Sequence, residues 1–148
     1  MTGRSGDRVK VRTYRDLEVW QVAYDLCRQV YQVTARFPKT ETYGLVSQLR
    51  RAAVSVPSNI AEGMGRRSTP EFLRSLRIAY GSNCELETQL LLARDLGYVD
   101  SATYERLRQM AASVERMISA LDRALRKRRQ GQASASGSGT RSPDHLTT

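Results

Sequence analysis

The sequence predicts an all-α protein, an antiparallel up-down four-helix bundle with a kinked second helix and disordered basic tails. Three observations carry that expectation. Four segments repeat apolar residues at alternating intervals of three and four, the rhythm of an amphipathic helix. Nothing alternates with the period of two that a half-buried strand requires. Short connections between long helices favour antiparallel neighbours. With 148 residues, 40% of them hydrophobic and only four prolines, the chain suits one domain with one core.

The first helix bears two apolar stripes side by side. One is Leu17, Trp20, Tyr24, Cys27, Tyr31 and Thr34; the other is Val19, Ala23, Leu26, Val30 and Val33. Together they make a face wider than one neighbouring helix covers. Phe37-Pro38 ends the segment, because the residue before proline is driven out of helical geometry.

The second helix buries Leu45, Leu49, Ala52, Val56 and Ile60, and Gly63 and Gly65 are expected to close it. Beside the apolar stripe runs a polar one, Gln48, Arg51, Ser55, Ser58 and Glu62, with Asn59 at its border. Pro57 removes a backbone donor and frees the carbonyl of Ala53, which predicts a kink near residues 53–57. Ser55 or a water is the expected partner of that carbonyl. The polar stripe is either solvated or registers a neighbouring subunit.

The third helix starts at Ser68-Thr69-Pro70-Glu71, a capping box with proline in the first turn. Phe72, Leu76, Ala79, Asn83, Leu86, Leu90 and Ala93 then keep one face up to Gly97. The fourth starts near Asp100 or Ser101 and carries Tyr104, Leu107, Ala111, Val114, Ile118, Leu121 and Leu125. From residue 126 the chain is basic and then Gly/Ser-rich, with too few apolar residues to pack, and disorder is expected. The organisation read from this is a flexible basic segment at 1–13, a bundle domain at 14–125 and a disordered tail at 126–148.

The net charge of +9 divides unevenly: +3 on residues 1–13, +4 on 126–148 and only +2 on the centre. Basic tails attract polyanions without specificity. The charged amino terminus has no apolar run of a secretory signal, and no run approaches the about 20 residues of a membrane span. Cys27 and Cys84 form no CxxC, and the only histidine is His145. Neither a metal site nor a disulfide framework is expected, nor a cofactor, membrane or small-molecule substrate. A cytoplasmic protein with reduced thiols is the expectation.

Two features invite a functional reading. Residues 63–69, GMGRRST, combine glycines, arginines and a helix amino terminus, as phosphate-binding loops do. No strand precedes them, and a plain helix–helix turn is the favoured reading. Arg50, Arg51, Arg66, Arg67, Arg74 and Arg77 all lie in the hairpin of helices two and three and form the candidate nucleic-acid footprint if they share a face. Arg74 and Arg77, three apart, are expected to share one. The competing reading is pairing with the bundle's own acids; a fold-back near residue 65 brings Glu85 within a turn of Arg50, so an ion pair is expected there. The same fold-back sets Glu62 and Glu85 about twenty residues out of register, too far for an acid–base pair. Ser55, Ser58 and Ser82 have no histidine base, so no catalytic constellation assembles.

The segments YRDLEVWQVAYDLCRQVY, FPKTETYGLVSQLRRAAVSVPSNIAEGMGR and STPEFLRSLRIAYGSNCELETQLLLARDLGYV, followed by the tyrosine-led last helix, resemble the bacterial four-helix bundle protein family. That family includes proteins encoded within intervening sequences of large-subunit ribosomal RNA genes. The accessory variability determinant of diversity-generating retroelements is a relative. The resemblance covers 14–125, and LRRAAVSVPSNIAEG is its most specific part. It implies a barrel-like homopentamer, no enzymatic activity, and RNA or a reverse transcriptase as partner. The motif residues it carries over are Arg50, Arg51, Ser55, Pro57, Asn59, Glu62 and Gly63, with Gly81, Ser82 and Glu85 on the third helix. The nearly neutral centre departs from the strongly basic surface of the retroelement relatives. The expected function is therefore a non-enzymatic oligomeric bundle that binds RNA or a nucleic-acid-handling partner through arginines; the alternative is a protein-interaction module without a nucleic-acid site.

Overall fold

The computed structural model describes residues 10–137, which form four α-helices: α1 (Glu18–Thr34), α2 (Leu45–Gly65), α3 (Thr69–Asp95) and α4 (Ser101–Ser136). Each helix packs on the next, and α4 returns to α1, so the four close into an up-down ring as expected. No strand occurs among the described residues.

Local chemistry sets the ends. Thr13 caps a 3-10 turn at Tyr14–Asp16, and the backbone N–H groups of Arg12 and Thr13 donate to the Asp16 carboxylate at 2.8 and 3.0 Å. Ser68 caps α3 by accepting from the Glu71 N–H at 3.4 Å, and Asp100 caps α4 by accepting from the Thr103 N–H at 2.7 Å. Only half of the capping box at Ser68 forms, because the Glu71 carboxylate turns to Arg66. Gly97, at φ 78°, ends α3 in the left-handed conformation.

Of the two stripes on α1, the aliphatic one faces in. Val19, Ala23, Leu26 and Val30 are buried, together with Thr34, whereas Tyr24 and Tyr31 stay 49% and 44% exposed. Leu49, Val56 and Ile60 of α2 meet Leu76, Leu86 and Leu90 of α3 and Leu107 and Val114 of α4 in one core.

Three expectations about the helix ends and backbone change. Gly65 is the last residue of α2, as expected, but Gly63 does not stop the helix: it is buried inside it, and the left-handed residue in the turn is Arg67, at φ 54°. Pro57 lies inside α2 with its ring buried, but Ser55 is not the partner of the Ala53 carbonyl: its hydroxyl pairs with that of Ser82 and accepts from Asn59 Nδ2. Finally, α4 does not end at Leu125 but continues to Ser136. The core does end where expected, since every side chain from Arg126 to Gly137 is exposed. Extending an existing helix costs far less than nucleating one, and this stretch holds arginine, lysine, glutamine and alanine, all good helix formers. Residues 1–9 and 138–148, with His145, lie outside the described residues.

Candidate nucleic-acid interface

The hairpin of α2 and α3 is locked by two close approaches. A Cβ placed on Gly63 would stand 2.6 Å from the Cβ of Ser75, so only glycine lets the two backbones pass there. Further along, the Ser55 and Ser82 hydroxyls share a hydrogen bond at 2.8 Å, and Asn59 Nδ2 donates to the Ser55 carbonyl and hydroxyl at 2.7 and 3.0 Å. Part of the polar stripe on α2 is therefore an inter-helix clasp, while Gln48, Arg51, Ser58 and Glu62 remain exposed. Gly81 is different: it is exposed, with open space where a Cβ would stand, and nothing in the structure explains it.

Pairing Ser55 with Ser82 keeps Glu85 within a turn of Arg50 in height, yet the expected ion pair is absent. Arg50 turns to α1 instead: Nε donates to Thr34 Oγ1 at 2.9 Å, Nη2 to the Tyr31 carbonyl at 3.4 Å, and the guanidinium lies 4.5 Å from the Tyr31 ring centroid. Glu85 accepts from Gln89 at 3.1 Å. With Gly63 against Ser75, Glu62 lies only about ten residues, roughly 15 Å, from Glu85 along the bundle. That corrects the expected twenty but still keeps the two carboxylates apart.

The six hairpin arginines do not share a face. Arg50 and Arg51 line an open groove of about 690 Å³ on the α1–α2 side, with Tyr31, Tyr43, Ser47 and Ser58. Arg66 and Arg74 line a smaller groove between α2 and α3 with Glu62 and Glu71. Arg66 is neutralised there, at 2.7 Å from Glu62 and 3.9 Å from Glu71, and the Glu62 hydrogen bond raises its pKa above the usual arginine value. The GMGRRST turn is thus an acid-balanced helix junction. Arg77, expected beside Arg74, opens into the groove between α3 and α4 with Arg123.

A basic end emerges that the hairpin set only touches. Asn83 Nδ2 donates to the Ala111 carbonyl and the Tyr80 hydroxyl to Glu115, both at 2.9 Å, so the α2–α3 turn is level with about residue 126 of α4. Exposed Arg67 therefore sits at the same end as Arg126, Lys127, Arg128 and Arg129. Asp122 pairs with Arg126 at 2.6 Å, and no acid follows it among the described residues of α4. This ridge was hidden in the sequence because the chain beyond 125 read as unstructured.

Among the described residues no cluster of three or more histidine, cysteine or acidic side chains is placed to hold a metal ion, and no helix is long and apolar enough to cross a membrane. Cys27 and Cys84 are both free thiols. No curated protein matches the chain. A crystal structure from Bacteroides thetaiotaomicron, described as a protein with unknown function from the S23 ribosomal protein family, shares the fold with a TM-score of 0.65. It is 20% identical, over 71% of this chain and 95% of that one. The 23S rRNA-intervening sequence protein family matches residues 15–120, and with that match over most of the bundle the chain belongs to that family.

Proposed function

We propose that this protein is a non-enzymatic, cytoplasmic, oligomeric bundle that binds RNA through the basic end of α3 and α4. The observation that carries the reading is the continuation of α4 beyond the core. Arg123, Lys127, Arg128 and Arg129 stand exposed on a helix with no acid after Asp122, and Arg77 flanks them across the α3–α4 groove. Such a ridge releases counterions when it meets phosphates, so binding weakens steeply with salt. The test is the salt dependence of affinity for a structured RNA, on the wild type and on a variant with Lys127, Arg128 and Arg129 changed to glutamine. The slope of log affinity against log salt is expected to fall by about one for each phosphate contact removed. An unchanged slope overturns the ridge as the binder.

Self-association is supported by the outer stripe of α1, where Trp20 stacks on a half-exposed Tyr24 at 4.9 Å between centroids. Light scattering tests it, and a monomer at micromolar concentration overturns it. A second reading, a protein-interaction module such as a reverse transcriptase accessory protein, draws support from Leu91, Leu92 and Leu96, which lie 40–51% exposed at the far end of α3. Recovery of a defined protein partner after nuclease treatment would favour it.

A further inference from the structure

The α1–α2 groove is chemically unlike the basic ridge. It combines aromatic rings with arginines and hydroxyls, and no acid lines it. Tyr43, between the first loop and α2, is 97% exposed and stacks on no described ring. Across the groove the Arg50 guanidinium is held over the Tyr31 ring, 4.5 Å from its centroid, by its bonds to Thr34 and the Tyr31 carbonyl. The Arg51 side chain makes no hydrogen bond or ion pair with any described residue. Glu41, which does not line the groove, is engaged elsewhere: one carboxylate oxygen accepts from the Leu45 N–H at 3.0 Å and the other from the Tyr98 hydroxyl at 3.3 Å.

We infer that this α1–α2 groove binds single-stranded RNA. Unpaired bases stack on aromatic rings and on guanidinium planes, and the arginine charge holds the backbone. Tyr43 supplies one stacking surface and the Arg50–Tyr31 platform a second. Arg51 is the free cation for a phosphate, and Ser47 and Ser58 flank it one to two turns away on α2, placed for phosphate or ribose hydroxyls. Duplex RNA buries its bases, so it meets the ridge but not this groove. The open shape fits a strand that enters and leaves, rather than an enclosed small molecule. The inference rests on the RNA-binding reading above and names which form of RNA the second surface takes.

The test compares an unstructured labelled oligoribonucleotide with a blunt duplex of the same length by fluorescence anisotropy. Four proteins are measured: wild type, Tyr43→Ala, Arg51→Gln and the triple ridge variant. Tyr43 is almost wholly exposed, so its loss leaves the fold intact. Tyr43→Ala is expected to weaken single-strand binding about five- to hundredfold and leave duplex binding unchanged. Arg51→Gln is expected to lower the single-strand salt slope by about 0.7. Single-strand affinity within twofold of wild type in Tyr43→Ala, with salt-sensitive binding retained, overturns the groove and leaves the ridge standing. A changed mass in light scattering with unchanged RNA affinity also overturns it, since the groove is then a contact between copies or with protein. Absence of binding to either RNA by the wild type overturns both readings.

Discussion

Gly63 and Ser75 cross so closely that their helices are spaced by the absence of one methyl group. The atom in the way is a β-carbon fixed to the α3 backbone, which no rotamer change moves. Gly63→Ala is therefore expected to push the helices apart and cost about 1–3 kcal/mol, despite alanine's better helix propensity. Urea unfolding measures the loss, and the added variant Ser75→Gly should return part of it. Equal stability of Gly63→Ala and wild type would contradict the close approach.

Gly81 predicts the opposite sign for the same substitution. It lies in the middle of α3, exposed, with nothing within 4 Å of where a Cβ would stand. Gly81→Ala should stabilise the folded chain by about 0.5–1 kcal/mol through backbone entropy. A loss of stability in this variant would mean that another copy or partner approaches the helix there, and light scattering on the same sample would reveal it.

Arg50 links α2 to α1 through geometry that lysine does not reproduce. Arg50→Lys loses the two-point hold on Thr34 and the Tyr31 carbonyl and the guanidinium contact with the ring. A cost of about 1–2 kcal/mol is expected. Glu85→Ala should leave stability nearly unchanged, because Glu85 bonds only Gln89. Thermal unfolding of both variants separates this arrangement from an Arg50–Glu85 ion pair, under which the two would fall together.

Acid should loosen the chain through its helix caps. The Thr103 N–H holds the Asp100 carboxyl below the ordinary aspartate range, and the Arg12 and Thr13 amides do the same for Asp16. A depressed folded pKa stabilises above the unfolded value, near 3.9, and that contribution is lost as pH falls through the folded value. Glu87 has the opposite sign: burial, aided by Glu115, raises its pKa, so its contribution is present below the usual glutamate value and fades as pH rises through the raised one. Asp100→Asn keeps a capping side chain without the titration and should flatten the acid limb of the urea midpoint between pH 2 and 6. An acid limb as steep as wild type would contradict the role of Asp100.

How much of this was legible depended on the kind of information involved. Periodicity located all four helices, and Ser68, Gly97 and Asp100 marked their ends, because caps and burial act within a few residues. Two stripes on α1 were equally apolar, and only packing shows that Val19, Ala23, Leu26 and Val30 turn inward. Register was not legible. Taking the fold-back near residue 65 misplaced α3 against α2 by about two turns. The face of α2 that carries Arg50, turned toward α1 rather than α3, was equally hidden. The turn belongs to Arg67, a residue with no special claim to positive φ. Tyr43 had no signal at all, since a lone aromatic between Thr42 and Gly44 repeats with nothing. The helix beyond Leu125 was missed because composition measures packing potential and not the ease of prolonging a helix already formed.

That prolongation changes what the basic residues are. A floppy tail of the same composition gives up about 1–2 kcal/mol of backbone entropy per residue when a ligand orders it. The prong formed by the end of α4 has surrendered that freedom before any ligand arrives, and it presents Arg126 to Arg129 at a fixed height and angle above the bundle. If copies assemble around an axis, each adds an identical prong at a set spacing, and a long polyanion that reaches two of them gains avidity from geometry alone.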